Sequence, residues 1–226
     1  MKKAIIFDFG GTIDTGGIHW SVMFEDAYKK AGLNIPEEKF NRAYVQADDD
    51  LKKIAKDGIK SYPDLLKKQT ELQFKYLDKE KERETINKIA DYIVKEMNDS
   101  VEISKSILTG LKKKYSLALV SNFYGNLEEM CASIGLCEFF DVLIDSEKEG
   151  IEKPHPGIFS LALKKMNANP ENTYVVGDSY ERDIVPAKIL GCKTIWLKNK
   201  SFKENKETDS ADYIIGDLKE LSGRLS

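Results

Sequence analysis

Histidine and cysteine are scarce in this chain, with two and three among 226 residues. The histidines, His19 and His155, are too few for His-rich metal chemistry. Any bound metal must then be held by carboxylates, which suits a hard cation. The cysteines, Cys131, Cys137 and Cys192, are odd in number and form no C-x-x-C pair. That argues against a disulfide framework and a zinc site, and reads them as small packing residues. Net charge is only -3, so no broad field draws the chain to nucleic acid or to an anionic membrane. Long apolar runs are also missing. The opening Lys3–Phe9 run is broken by Asp8, too early for a signal segment, and nothing approaches the roughly 18 apolar residues of a spanning helix. A cytoplasmic protein is expected. With 41% hydrophobic and 32% charged residues, the composition is that of a folded globular chain rather than a disordered one.

What is present alternates. Residues 3–9, 117–120, 140–144, 174–176 and 194–197 are short apolar runs, and 213–215 adds a short edge strand. Four of them end in a chemically distinctive turn: Asp8 with two glycines, Ser121-Asn122, Asp145-Ser146, and Gly177-Asp178-Ser179. Helical spacings separate them. Leu127, Met130, Cys131 and Ile134 share one face, stopped by Gly135; Ile158, Phe159, Ala162, Leu163 and Met166 share another. A third runs over 181–190, where Pro186 predicts a kink or a late start. Alternating strands and helices predict an α/β fold with a parallel sheet covered on both faces. Ligands then bind beyond the carboxyl ends of the strands, where these turns lie.

Residues 20–97 differ, with helical periodicity throughout and no strand pattern. Pro36 and Pro63 each suit the first turn of a helix. The expectation is a helical insert at 18–97, tied to a core of 1–17 and 98–226 through 15–19 and 98–104.

Four constellations carry chemistry. Asp8-Phe9-Gly10-Gly11-Thr12 exposes a carboxylate beside backbone N–H groups that cradle an anion. Ser121-Asn122 offers a hydroxyl and an N–H. Lys153, ahead of Pro154-His155-Pro156, is held by a stiff entry into a helix, so its charge is available to a phosphoryl group. In Gly177-Asp178-Ser179-Tyr180-Glu181-Arg182-Asp183, two acids flank one turn, enough for Mg²⁺ with waters and substrate phosphate. Each has a plainer structural explanation as a turn, a cap or a solvated lysine.

Their order at successive strand ends resembles the haloacid dehalogenase-like (HAD) superfamily: D-F-G-G-T, S-N, K-P and G-D-S-x-x-x-D. The insert resembles that family's C1-type cap. The resemblance implies a Rossmann-like core and a Mg²⁺-dependent phosphatase acting on a small phosphorylated metabolite through an aspartyl-phosphate. It implies Asp8 as nucleophile, with Lys153 and Asp183 as catalytic partners. Asp8, the Gly10 carbonyl and Asp178 would hold Mg²⁺. Gly11, Ser121, Asn122 (through its backbone) and Lys153 would bind the phosphoryl group.

The chain departs from the family pattern at Gly10, where most of these phosphatases carry a second Asp that acts as general acid. Three explanations stand. Hydrolysis proceeds without that acid, or takes one from His19, Asp14 or the cap. Alternatively, the chemistry is of the dehalogenase type, which lacks the Asp178–Asp183 pair, or of the phosphonatase type, which needs a cap lysine such as Lys29, Lys30, Lys52 or Lys53. Or the chain binds phosphometabolites without turnover. The first is favoured, because Asp8, Lys153, Asp178 and Asp183 are all retained. His19 reads as an ordinary loop residue, the run Asp48-Asp49-Asp50 as solvated, and Trp20 and Tyr44 equally as core or pocket.

Overall fold

The structure, a computed structural model, describes residues 3–79, 82–198 and 210–225. The remainder of the expected core, at 1–2, 199–209 and 226, lies outside the described residues. The strands are β1 (Lys3–Phe7), β2 (Tyr115–Ser121), β3 (Val142–Asp145), β4 (Thr173–Gly177), β5 (Lys193–Leu197) and β6 (Tyr213–Ile215). All pair in parallel, in the order β3-β2-β1-β4-β5-β6. β1 therefore lies between β2 and β4, with Phe7 in register with both Leu119 and Val176. The residues that follow these three strands meet at one edge of the sheet.

The helices are α1 (Trp20–Lys30), α2 (Glu37–Gly58), α3 (Tyr62–Tyr76), α4 (Arg83–Lys112), α5 (Leu127–Ser133), α6 (Ser146–Glu149), α7 (Gly157–Met166) and α8 (Val185–Ile189). Pro36 immediately precedes α2, and Pro63 sits in the first turn of α3, behind a Ser61 cap. Pro186 falls in the first turn of α8, after an irregular turn over Tyr180–Ile184, so the late start expected there is what forms. The stretch 98–104 is not a separate connection. It lies within α4, which runs unbroken for 30 residues from the insert onto the sheet.

Strand alternation divides the core. Ile5, Phe7, Leu117, Leu119 and Val176 face one side, against Val101, Leu108 and Leu111 of α4 and Met130 of α5. Ile6, Ala118, Val120 and Val175 face the other, against Ile158, Phe159 and Ala162 of α7. The first cluster continues through α4 into Phe24, Tyr28, Phe40, Leu66 and Phe74 of the insert. Sheet and insert thus share one apolar interior.

Asp145, at the end of β3, accepts backbone N–H groups from Gly125 (3.1 Å), Leu127 (3.0 Å) and Glu147 (3.0 Å). It ties the β2–α5 loop and the starts of α5 and α6 to the sheet edge. Asp145→Ala leaves three donors without their acceptor, at about 1–3 kcal/mol for each one that stays buried. Urea denaturation is expected to show a loss of about 2–4 kcal/mol, and Asp145→Asn, which keeps one acceptor, should lose less.

Candidate active site

Asp8 continues the line of β1, its N–H donating to the Val176 carbonyl at 2.8 Å. The chain then turns through Phe9–Ile13, with Gly10 extended and Gly11 at φ +90°. Gly11 must be glycine for that angle and for space: a Cβ there would lie 2.5 Å from Asp178 Oδ2. Gly177 is constrained in the same way, since a Cβ would run into the Asp183 carboxylate. The two loops therefore pack closely enough to bring the carboxylates of Asp8, Asp178 and Asp183 within 4.8 Å of one another.

Lys153 is the counter-charge. It is 5% exposed, and its Nζ reaches Asp8 Oδ1 and, at 2.7 Å, Asp183 Oδ1. Burial alone would lower this ammonium, but Asp183 and Asp8 outweigh it, and the net displacement is upward. Burial raises Asp178 well above the usual carboxylate range, and Asp8 and Asp183 push it further. Burial also raises Asp183, opposed chiefly by Lys153. Three carboxylates facing one ammonium leave an excess of negative charge that burial makes costly.

Several supporting contacts escaped the sequence reading. Thr12 donates its hydroxyl to Asp8 Oδ2 (3.1 Å) and accepts the Asp178 N–H (3.1 Å), bridging the two acids. Trp196 on β5 donates its indole N–H to the Asp178 carbonyl at 2.9 Å. Only the fold brings β5 to that loop, so no local pattern signals it. The Asn122 side chain is engaged in positioning: Nδ2 donates to the Lys153 carbonyl (2.9 Å) and Oδ1 accepts the Lys153 N–H (2.8 Å). Ser121 is buried at the end of β2, beside β1.

Gly11, expected to bind substrate, is engaged within its own loop. Its N–H donates to Asp14 Oδ1 at 2.8 Å. Asp14 is engaged by donors from several segments. It is fully buried, and Oδ2 accepts both the Trp20 indole N–H (2.8 Å) and the Tyr62 hydroxyl (2.7 Å). Burial pushes Asp14 up to about 7, against the pull of the Tyr62, Gly11 and Trp20 donors. His19 caps α1, its Nδ1 accepting the Ser21 N–H at 3.2 Å.

Around Gly10 the space is bounded by the Trp20 indole, 3.8 Å from where a Cβ would stand. Lys29, Lys30, Lys52 and Lys53 pair with Glu25, Asp26, Asp48 and Asp50 at helical spacing on the surface of the insert. The acidic run is not wholly solvated: Asp48 is half-buried and accepts the Tyr124 hydroxyl from the core. Tyr44 packs against Phe24 and Phe40.

Comparison with known proteins agrees with this geometry. The family model of the haloacid dehalogenase-like hydrolases matches residues 2–191. The chain is 36% identical over 122 residues to a glyceraldehyde 3-phosphate phosphatase of Pyrococcus furiosus, covering 52% of this chain and 50% of that protein. It is 32% identical over 111 residues to a phosphoserine phosphatase of Thermus thermophilus, covering 49% and 44%. The matched stretch thus spans about half the length of these relatives, or somewhat less. Two solved structures share the fold: a HAD phosphatase from Thermococcus onnurineus (TM-score 0.58, 20% identity, 99% of this chain and 98% of that one) and an L-2-haloacid dehalogenase from Xanthobacter autotrophicus (TM-score 0.61, 18%, 98% and 97%). With the family matched over most of its length, and with Asp8, Lys153, Asp178 and Asp183 gathered at one sheet edge, this chain belongs to the haloacid dehalogenase-like hydrolases.

Proposed function

We propose that the chain is a phosphatase that transfers the phosphoryl group of a small phosphate monoester to Asp8 and then to water. The observation that carries this reading is the arrangement of Asp8, Asp178 and Asp183 around one buried lysine. The partial sequence likeness to two phosphatases supports it. The surface pairing of Lys29, Lys30, Lys52 and Lys53 disfavours Schiff-base phosphonate chemistry, and the Asp178–Asp183 pair disfavours dehalogenation.

The donor set fits a divalent cation. It consists of oxygens only, and its excess negative charge is the kind a cation relieves. Asp8, the Gly10 carbonyl and Asp178 would hold Mg²⁺. When bound, it supplies positive charge against the negative charge of the phosphoryl group.

The chain's own residues account for the rest. Lys153, kept protonated, and the Thr12 hydroxyl orient the two Asp8 oxygens. One of these attacks phosphorus in line with the departing oxygen; the new Asp8–phosphorus bond forms as the ester bond breaks. The Ser121 hydroxyl and the Asn122 backbone N–H grip phosphoryl oxygens, while the Asn122 side chain keeps Lys153 in place. Asp183 holds Lys153 from the other side. Water then cleaves the acyl phosphate. Residues 18–97 act as a cap that excludes bulk water and selects the leaving group. The three free thiols fit a cytoplasmic setting.

With glycine at position 10, the leaving group is expected to depart without help from an acid at that position. Purified protein should hydrolyse p-nitrophenyl phosphate with Mg²⁺ and lose turnover in EDTA. Asp8→Asn should lower kcat at least about 10³-fold. Aryl phosphates should react faster than alkyl phosphates by about 10²-fold or more, the share that general acid catalysis would otherwise supply; equal rates on both would show that an acid is present. Thermal melts test the cation site without activity. Mg²⁺ at a hundred times its Kd should stabilise the chain by about 2.7 kcal/mol, roughly 5–10 °C. Asp178→Asn should melt higher than the parent in EDTA and shift little with Mg²⁺.

A further inference from the structure

Asp14 is a fully buried carboxylate that the phosphoryl chemistry does not use. Its three donors come from three separate parts of the chain: the Gly11 amide from the loop after β1, the Trp20 indole from α1, and the Tyr62 hydroxyl from α3. The two aromatic rings stack, with centroids 5.8 Å apart and an interplanar angle of 23°, and Tyr62 also meets Phe9 edge-on at 5.7 Å. Tyr62 is held from its other end as well, its backbone N–H donating to Ser133 Oγ on α5 at 3.1 Å. Stability alone does not call for an acid here, since a buried charge is commonly no better than an apolar side chain of the same volume. What an apolar residue cannot do is accept from all three segments at once. Gly11, the residue whose amide Asp14 holds, is the one that abuts Asp178.

We propose that Asp14 is a positioning residue for the Asp8 loop, linking the amide of Gly11 to the seating of α1 and α3 through Trp20 and Tyr62. The spacing between Asp8 and Asp178 is then set only when both helices are in place over the core. This rests on the phosphatase reading for its kinetic consequence, but not for the coupling itself.

Tyr62→Phe and Trp20→Phe remove one donor each while keeping an aromatic ring in place. Two readouts follow: hydrogen exchange of the Gly11 amide, resolved by NMR, and kcat and KM on p-nitrophenyl phosphate, with Asp8→Asn as the blank. Both variants are expected to speed Gly11 exchange and to lower kcat about 3–10-fold at nearly constant KM, the rate equivalent of weakening one hydrogen bond. Asp14→Asn retains one acceptor, so combining it with Tyr62→Phe should be clearly less than multiplicative. Unchanged Gly11 exchange in both aromatic variants would overturn the proposal, as would faster exchange with kcat unaltered, or a multiplicative double variant. If the parent protein shows no turnover above the Asp8→Asn blank, the phosphatase reading fails. The exchange data then decide the coupling: acceleration at Gly11 supports it and no change overturns it.

Discussion

The site depends on one ammonium. Lys153 is buried between Asp8 and Asp183, and its charge offsets the crowding of three carboxylates. Its own backbone is clamped from both sides by the Asn122 amide. The lysine is thus fixed at both ends, which low-dielectric surroundings make worthwhile: a charge placed there acts strongly and pays nothing in reorganisation when the reacting group arrives. The remaining negative excess is what disposes the cluster toward a cation.

The loops around this ion pair are shaped by the same crowding. Asp178 can approach only because Gly11 has no side chain, and Asp183 can fold back only because Gly177 has none. Thr12 then joins the two acid-bearing loops through one hydroxyl, accepting from one and donating to the other. These are short-range steric and hydrogen-bonding demands, and they explain why small residues stand beside charged ones at the strand ends.

A second level of organisation joins the helical insert to the sheet. One apolar cluster spans both, α4 passes between them without a break, and polar contacts seal the junction: Tyr124 on Asp48, Asn126 on the Ala55 and Ile59 carbonyls, and the donors gathered on Asp14. Trp20 closes the side of Gly10 from the insert. The surroundings of the nucleophile loop are therefore built jointly by the sheet edge and α1.

Much of this was legible before the fold was known. Apolar runs of three to seven residues, four of them closing on an acid, a hydroxyl or glycine, are enough to specify parallel strands with chemistry at their carboxyl ends, because a strand buried on both faces must be apolar until it emerges. The order of the four constellations identified the family, and the spacings of 20–97 identified helices. Local sequence could not show where α4 would end. The 98–104 stretch reads as a connection, whereas the helix continues through it with Val101 and Ser104 buried. Nor could it show that the Gly11 amide is taken by Asp14, that Asn122 acts through its side chain, or that Trp196 steadies Asp178. Each is a contact between residues whose partners are chosen by packing, and a side chain's chemistry sets what it can bond to, whereas only the tertiary structure decides which partner comes within reach.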